Sequence, residues 1–171
     1  MPYKVQSSEK LRKIGADFET KAMLYLLNFR QDSSEINYFI VDFFNDITGM
    51  DRMGRKLWDV QSKASKSGSA KTIGRELVTL YKNYVSDFQF FKYIIFLGAV
   101  PDSFRIVNSE TVFKLSNIQD KAVESLFSGL KDECEKKEYI STKEISDEKL
   151  HDFLNNVWSV SYTHLTLPTI A

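Results

Sequence analysis

Apolar residues recur at helical spacing near the amino end of the chain. From Ser8 to Arg30 they fall three and four positions apart, the pattern of one buried helical face, at Leu11, Ile14, Phe18, Ala22, Tyr25, Leu26 and Phe29. Similar spacing predicts three further helices, at about 73–88, 119–136 and 146–158. The last of these starts with Asp147 and Glu148, and acidic residues are favourable at the amino end of a helix.

Extended segments are indicated between the helices. The stretch 36–48 is rich in aromatic and β-branched residues, and 56–64 follows it after a Gly/Asp turn at 49–54, so the two predict a β-hairpin. The run from Phe91 to Val100 is almost continuously apolar, which is typical of a strand buried on both faces. A short strand is expected at 104–107. The order of these elements predicts one mixed α/β domain.

Composition excludes several classes of protein. The 171 residues are 43% hydrophobic and 27% charged, which is a globular rather than a disordered composition. Lys+Arg and Asp+Glu are equal at 23 each, so no global basic field is available to bind nucleic acid. The single cysteine, Cys134, excludes an internal disulfide and is expected to be inert. No apolar stretch approaches the roughly 20 residues that cross a bilayer, so we expect a cytoplasmic protein without membrane contact.

The carboxyl end has an unusual sequence. Residues 160–169 read VSYTHLTLPT, which resembles the translation of a transposase-type sequencing-library adapter. We therefore expect residues 1–159 to form the natural domain, truncated on its carboxyl side, and residues 160–171 to be derived from the adapter. Because His164 lies in that segment, only His151 remains for imidazole chemistry, and we expect it at a surface or interface.

A cluster of polar residues lies on the predicted hairpin. Side chains two apart on a strand share a face, so one set comprises Asp42, Phe44, Asp46 and Thr48 and a second comprises Asp59, Gln61 and Lys63. Pairing across the turn would bring the two sets together. Carboxylate and carboxamide oxygens suit Mg²⁺ or Mn²⁺, and a lysine beside the metal can orient water or offset phosphate charge. The alternative is that these residues are the solvated face of a hairpin.

The two strings that carry this cluster resemble a nuclease signature. Residues 45–48 (NDIT) and 59–64 (DVQSKA) look like the D…Q-x-K form of the PD-(D/E)xK motif. Together with 15–19 (GADFE) and the basic loop that follows, they resemble the double-stranded DNA endonuclease domain of anti-phage effectors of the CBASS type. This resemblance implies a restriction-endonuclease-like mixed sheet flanked by helices, with residues 1–159 as the nuclease-like domain.

The resemblance also implies roles for individual residues. Asp46 would be the metal-binding acid, Gln61 would occupy the second-acid position, and Lys63 would be the catalytic lysine, with Mg²⁺ or Mn²⁺ as cofactor. Glu19 matches an acid of the first helix that helps to hold the metal, although an exposed helix charge is an equally good reading. These four residues are the predicted catalytic set, and Asp46, Gln61 and Glu19 are the predicted metal ligands.

Some residues depart from the family pattern. Asn45 stands where relatives often have another acid, and Ser62 stands where they often have an aliphatic residue. Asp42 shares strand parity with Asp46 and is therefore a rival for the acid role, unless it is only a polar strand end. Asp59 is most simply explained by an ion pair with Lys56 or Arg55.

A local excess of positive charge follows the proposed site. Residues 55–75 contain six basic residues and one acid. Lys66, Lys71 and Arg75 are therefore candidates to bind DNA phosphates, with a solvated helix start as the alternative. The aromatic run formed by Phe88, Phe90, Phe91, Tyr93 and Phe96 is most simply core, and a base-stacking platform is its alternative.

Three functions are compatible with these features. The first is a metal-dependent DNA endonuclease of anti-phage defence, which cleaves double-stranded DNA without sequence preference. It would be restrained by a sensor domain lost beyond Ser159 or by a separate regulator, and a homo-oligomer is compatible with this function. The second is a catalytically inactive nuclease fold that serves as a binding or assembly module. The third is an RNA-directed nuclease that uses the same residues.

Overall fold

A six-stranded mixed β-sheet forms the centre of the computed structural model, which describes residues 13–28, 32–64 and 68–162. In chain order the strands are β1 (Tyr38–Val41), β2 (Ile47–Met50), β3 (Leu57–Lys63), β4 (Lys92–Leu97), β5 (Val112–Phe113) and β6 (Val157–Ser161). They lie side by side in the order β1-β2-β3-β4-β6-β5. The first three strands are antiparallel, β3, β4 and β6 run parallel, and β5 is antiparallel to β6.

Helices cover both faces of this sheet, as expected for an α/β domain. They are α1 (Lys13–Asn28), α2 (Ala70–Glu76), α3 (Val78–Tyr84), α4 (Asp120–Cys134) and α5 (Asp147–Asn156). Helix α1 lies on one face, where its buried residues meet alternate residues of β3 and β4 in a first apolar cluster that includes Phe18, Leu26, Trp58, Ile94 and Phe96. The other four helices cover the opposite face in a larger cluster that includes Leu80, Tyr93, Ile95, Leu130 and Phe153.

The predicted helices at 8–30 and 119–136 are confirmed within the described residues. In α1 the side chains of Phe18, Ala22, Tyr25 and Leu26 are buried, as the periodicity predicts. The helix predicted over 73–88 is instead two helices, α2 and α3, because the chain bends at Leu77. Both halves bury apolar residues in the same cluster, so the apolar spacing continues across the bend.

Two glycines allow α2 and α4 to approach at backbone distance. A Cβ added to Gly74 would lie 2.0 Å from the carbonyl oxygen of Leu126, and one added to Gly129 would lie 2.1 Å from that of Lys71. No side chain fits at either position without moving a backbone. The contact therefore fixes where α2 lies and, through α2, where the basic residues that follow β3 are held.

The predicted hairpin is confirmed, but its first arm is shorter than expected. β2 and β3 pair with Thr48 opposite Asp59, and the Asp51 carboxylate closes the turn by accepting the backbone N–H groups of Arg55 and Lys56. The extended segment predicted over 36–48 is instead two strands joined by residues 42–46. Asp42 has φ of +56° in this connection, so the predicted strand parity of Asp42, Phe44 and Asp46 is wrong.

The carboxyl-terminal half contains two further differences. The strand predicted at 104–107 is absent from the described fold. Asp102–Phe104 is a single 3₁₀ turn, and Arg105 makes only one bridge, to Ile118. The buried strand β4 and the helix from Asp147 are confirmed, but that helix ends at Asn156 and the chain continues as β6. The last two residues of β6, Val160 and Ser161, are buried and belong to the segment that resembles an adapter.

Within the described residues, no helix is both long and apolar enough to cross a membrane.

Candidate functional site

Asp46 lies directly before β2, against β3. One carboxylate oxygen, Oδ2, accepts three hydrogen bonds, from Gln61 Nε2 at 2.8 Å, from Ser62 N at 2.7 Å and from Ser62 Oγ at 2.8 Å. The antiparallel ladder ends at the pair Ile47 and Val60, so the carboxylate takes the place of the next backbone partner of β3. Among the described residues, Oδ1 has no hydrogen-bond partner. The sequence correctly predicted that Asp46 and Gln61 meet.

Gln61 joins Asp46 to helix α3. Its Nε2 donates to Asp46, and its Oε1 accepts a 2.8 Å hydrogen bond from the hydroxyl of Thr79. The carboxamide therefore presents its nitrogen, not its oxygen, to the acid. For Gln61 to be a metal ligand beside Asp46, the carboxamide must rotate by half a turn. Thr79 permits this rotation, because a hydroxyl can accept from the amide nitrogen as readily as it donates to the oxygen.

Glu19 faces the same region from helix α1. Partial burial raises the pKa of Glu19 above its ordinary value, and the negative charges of Asp46 and Asp42 raise it further. The carboxylate of Glu19 is therefore close enough to interact electrostatically with both Asp46 and Asp42. Asp42 is exposed, and its backbone N–H donates to the backbone oxygen of Asp46. Neighbouring like charges of this kind would be stabilised by a bound cation.

Lys63 follows Gln61 on the same face of β3, as predicted. Its ammonium forms a 2.8 Å salt bridge with Glu76 of α2, and each side chain is 37% exposed. The pair borders a small cavity of about 30 Å³ that is also lined by Gly68, Thr72 and Leu97. The lysine is accessible to solvent and lies next to the acid site, but its present partner is a carboxylate of the protein.

Asp59 is completely buried, which contradicts the predicted ion pair with Lys56 or Arg55. Its carboxylate accepts hydrogen bonds from Asn45 Nδ2 at 2.9 Å and from Asn83 Nδ2 at 2.8 Å. Burial raises the pKa of Asp59 to about 6 in spite of these donors. Asn45, which departs from the family pattern, thus anchors the loop that carries Asp46 to the core.

Helix α3 and strand β3 match each other in spacing. Thr79 and Asn83 are four residues apart on a helix, a rise of about 6 Å. Their partners Gln61 and Asp59 are two residues apart on a strand, a rise of about 6.6 Å. The two polar pairs therefore form side by side. The sequence analysis missed Thr79, Asn83 and Glu76; the available signal was two polar residues one turn apart among the apolar positions of a helix.

The basic residues after β3 are distributed differently from the prediction. Lys71 forms a 2.7 Å salt bridge with Asp132 of α4, and Lys56 is paired with Glu35. Arg75 is exposed and its charge helps to lower the pKa of Asp132. Lys66 lies outside the described residues. The local excess of positive charge is therefore partly neutralised by acids that come from other elements.

The predicted core assignment of the aromatic run is only half correct. Tyr93 and Phe96 are buried in β4, whereas Phe88 and Phe91 are 57% and 47% exposed. The reason is that the strand begins only at Lys92. Elsewhere, Cys134 is buried, and burial raises the pKa of its thiol to about 12, as expected for an inert cysteine. His151 is exposed and stacks on Phe127 with ring centroids 4.4 Å apart.

The donor set for a metal ion is sparse. In the part of the chain that the structure describes, no group of three or more His, Cys, Asp or Glu side chains is arranged to hold a metal. Oδ1 of Asp46 and the carboxylate of Glu19 remain, with Gln61 available after rotation of its carboxamide. One or two carboxylates, completed by water and substrate phosphate, are the usual protein contribution to a Mg²⁺ site. The residues fit a loosely held hard cation of that kind.

Comparison of the chain with protein-family models, with curated proteins and with solved structures finds no match in any of the three.

Proposed function

We propose that this protein is a metal-dependent endonuclease that hydrolyses DNA phosphodiester bonds. The observation that carries the proposal is the contact of Asp46 with Gln61 at 2.8 Å, with Lys63 next to Gln61 on the same face of β3. Glu19 of α1 lies close enough to Asp46 for the charge of that carboxylate to raise the pKa of Glu19. These four residues come from three separate elements. Strands made largely of apolar residues do not gather acids, an amide and a lysine without a stabilising reason.

Each residue has a role in this proposal. Asp46 and Glu19 would hold Mg²⁺ or Mn²⁺, which would supply Lewis acidity at the scissile phosphate. Gln61 orients Asp46 and, after rotation, offers its carbonyl oxygen. Lys63 leaves Glu76 and binds the scissile phosphate, where its charge opposes that of the substrate. Lys66, Lys71 and Arg75 bind phosphates further along double-stranded DNA.

The wider setting belongs to the same proposal. The mixed sheet with helices on both faces is consistent with a restriction-endonuclease-like fold. An enzyme of this kind needs restraint in its own cell, and we propose a regulator or a fused sensor for that purpose, a cytoplasmic location and a role in anti-phage defence. A homo-oligomer would allow two strands of a duplex to be cut together.

A catalytically inactive binding module is the second candidate, because two observations favour it. The amide nitrogen of Gln61, rather than its oxygen, faces Asp46, and Lys63 is neutralised by Glu76. Both contacts stabilise the fold without metal. An RNA-directed nuclease would use the same residues and is distinguished by competition between RNA and DNA substrates.

The decisive experiment combines metal binding with plasmid cleavage. Calorimetry with Mn²⁺ should give binding for the unaltered chain and none for Asp46→Asn, which keeps the shape of the side chain and removes its charge. Asp42→Asn tests the rival acid, and asparagine tolerates the positive φ at that position. We expect Asp42→Asn to retain binding. If folded protein binds no divalent ion, the nuclease is excluded and the binding module stands.

Lys63→Ala and Lys56→Ala form a matched pair for the cleavage assay. Each lysine flanks β3, carries a salt bridge to a glutamate and is about 40% exposed. Only Lys63 lies beside Asp46. We expect Mn²⁺-dependent nicking to be lost in Lys63→Ala and retained in Lys56→Ala. Equal loss in both variants would show a general charge effect and would contradict a catalytic role for Lys63.

A further inference from the structure

A surface cavity of about 440 Å³ lies beside the acid site, between the β1–β2 connection, helix α3 and the segment after α4. Its walls include three aromatic rings, those of Phe44, Phe88 and Tyr139. Phe88 and Tyr139 are each 57% exposed. The volume falls in the range of small-ligand sites, and aromatic walls with a few polar groups are the usual lining of such sites.

The exposed rings are held in place by local contacts. The centroid of Phe44 lies 5.0 Å from that of Phe88 and 4.9 Å from that of Phe90, in edge-to-face geometry. Ser86 closes the loop before Phe88, because its hydroxyl donates to the backbone oxygen of Asn83 and accepts the backbone N–H of Phe88. Phe88 is thus presented to solvent by a defined turn rather than by a loose chain.

Asn83 lines the cavity with an unused acceptor. The residue is only 3% exposed, and its Nδ2 is committed to Asp59. Its Oδ1 has no hydrogen-bond partner among the described residues. This oxygen can accept a hydrogen bond from an N–H group of a ligand that enters the cavity.

Lys82 adds a cation, and its charge also helps to lower the pKa of Asp59. Its side chain is exposed, lines the same cavity and forms no salt bridge within the described residues. Glu144, the acid on the opposite wall, is paired with Lys149 at 2.6 Å. Of the two charged residues that line the cavity, only Lys82 is outside the salt bridges of the described residues, and its positive charge suits a phosphate.

A chain of hydrogen bonds links the lining of the cavity to the acid site. Asn83 donates to Asp59, which also accepts from Asn45. Asn45 lies between Phe44, which lines the cavity, and Asp46, which would hold the metal. One buried carboxylate thus holds both Asn83 of the cavity lining and Asn45, the residue between Phe44 and Asp46.

From this arrangement we propose that the cavity is a subsite for one unpaired nucleobase of the substrate strand. The base stacks on Phe88 and Phe44, an N–H group of the base donates to Asn83 Oδ1, and Lys82 contacts a flanking phosphate. Aromatic side chains bind bases of any sequence in this way. The inference rests on the proposed function, since it defines the substrate as a strand with a base displaced next to the cleaved bond.

Binding should be measured by fluorescence anisotropy on the full chain in EDTA, with three labelled DNA duplexes. One is fully paired, one carries a single unpaired base, and one carries an abasic residue at that position. We expect the unpaired base to bind most tightly. Phe88→Leu should reduce this preference by roughly 5- to 100-fold, the usual effect of losing a base stack.

Tyr38→Leu is the matched control, because Tyr38 is an exposed aromatic residue, 50% exposed, on the far edge strand β1. It should keep the preference. Equal binding of the base and the abasic residue, or a preference that survives Phe88→Leu, would overturn the inference. So would a lack of binding to all three duplexes, which would leave a protein partner as the occupant.

The two proposals fail in different ways. Base-dependent binding without Mn²⁺-dependent cleavage would support the subsite and exclude the endonuclease. Cleavage that depends on Asp46, without base-dependent binding, would support the endonuclease and exclude the subsite.

Discussion

Lys63 and Glu76 form a 2.8 Å salt bridge between the end of β3 and the end of α2. Glu76 is the residue directly after Arg75, where the basic stretch ends in the sequence. In the folded chain it neutralises the lysine that the nuclease proposal requires. A salt bridge exposed by more than a third contributes little to stability, about 0–1 kcal/mol, so its separation during catalysis is energetically feasible.

Glu76→Gln should therefore release Lys63 at little cost to the fold. We expect the free energy of unfolding to change by less than about 1 kcal/mol and the rate of Mn²⁺-dependent nicking to increase. Glu35→Gln, which releases Lys56 at the other end of β3, serves as the control and should leave nicking unchanged. A slower reaction in Glu76→Gln would mean that Glu76 holds Lys63 in its working position.

Burial of Asp59 predicts an unusual pH dependence of stability. Its pKa is about 6 in the folded protein and near 3.8 when exposed, so the folded state binds the proton more tightly. The free energy of unfolding should then fall by on the order of 3 kcal/mol as the pH rises from about 4 to 6. Above pH 6 it should stay level. Urea denaturation across this range should show the fall in the unaltered chain and not in Asp59→Asn.

Asp51 supplies a control of opposite sign. The backbone N–H of Lys56 is the main cause that lowers the pKa of Asp51. The ionised Asp51 carboxylate therefore stabilises the fold at a pH above the pKa of Asp51 in the unfolded chain. This contribution is lost as the pH falls through the lower pKa of the folded protein. Asp51→Asn should remove that loss at low pH and leave the fall between pH 4 and 6 intact. If Asp51→Asn instead abolished the fall, Asp59 would not be its source.

The backbone contact of α2 with α4 predicts a large effect of adding one methyl group. In Gly129→Ala the new Cβ would lie 2.1 Å from the carbonyl oxygen of Lys71, so the helices must separate. We expect destabilisation of about 2–3 kcal/mol. Gly15→Ala, where the Cβ would approach nothing closer than 3.9 Å within α1, should stabilise the protein by about 0.5–1 kcal/mol. Thermal unfolding with circular dichroism measures both, and equal effects would contradict the close approach.

Cys134 should not react with thiol reagents in the folded protein. It is completely buried, and its pKa of about 12 leaves almost no thiolate at pH 8. We expect no reaction with a disulfide reagent within the time that labels an unfolded control completely. Labelling at the same rate in both samples would mean that the carboxyl end of α4 opens readily.

Local periodicity was sufficient for several parts of the fold. Helix α1 was predicted from an apolar stripe at helical spacing. Strand β4 was predicted from a continuous run of apolar residues. The turn between β2 and β3 was predicted from glycine and aspartate. The contact of Asp46 with Gln61 followed, since that turn fixes which residues of the hairpin lie opposite each other.

Strand β6 and the bend at Leu77 depended on distant parts of the chain. Val157 continues the apolar spacing of α5, so the pattern alone favoured a longer helix. The strand forms because β4 leaves a parallel edge that must be paired. In the same way, α2 packs against α4 through Gly74 and Leu126, a residue pair that no local pattern relates.

The sequence by itself determined the fold class, the hairpin and the pairing of Asp46 with Gln61, because these depend on spacing along one or two neighbouring elements. Only the tertiary structure decided that Asp59 is buried between Asn45 and Asn83, that Lys63 is held by Glu76, and that Phe88 is exposed. The burial of a side chain and the neutralisation of its charge depend on the residues that pack against it. Those partners come from segments far apart in the chain, where no sequence period connects them.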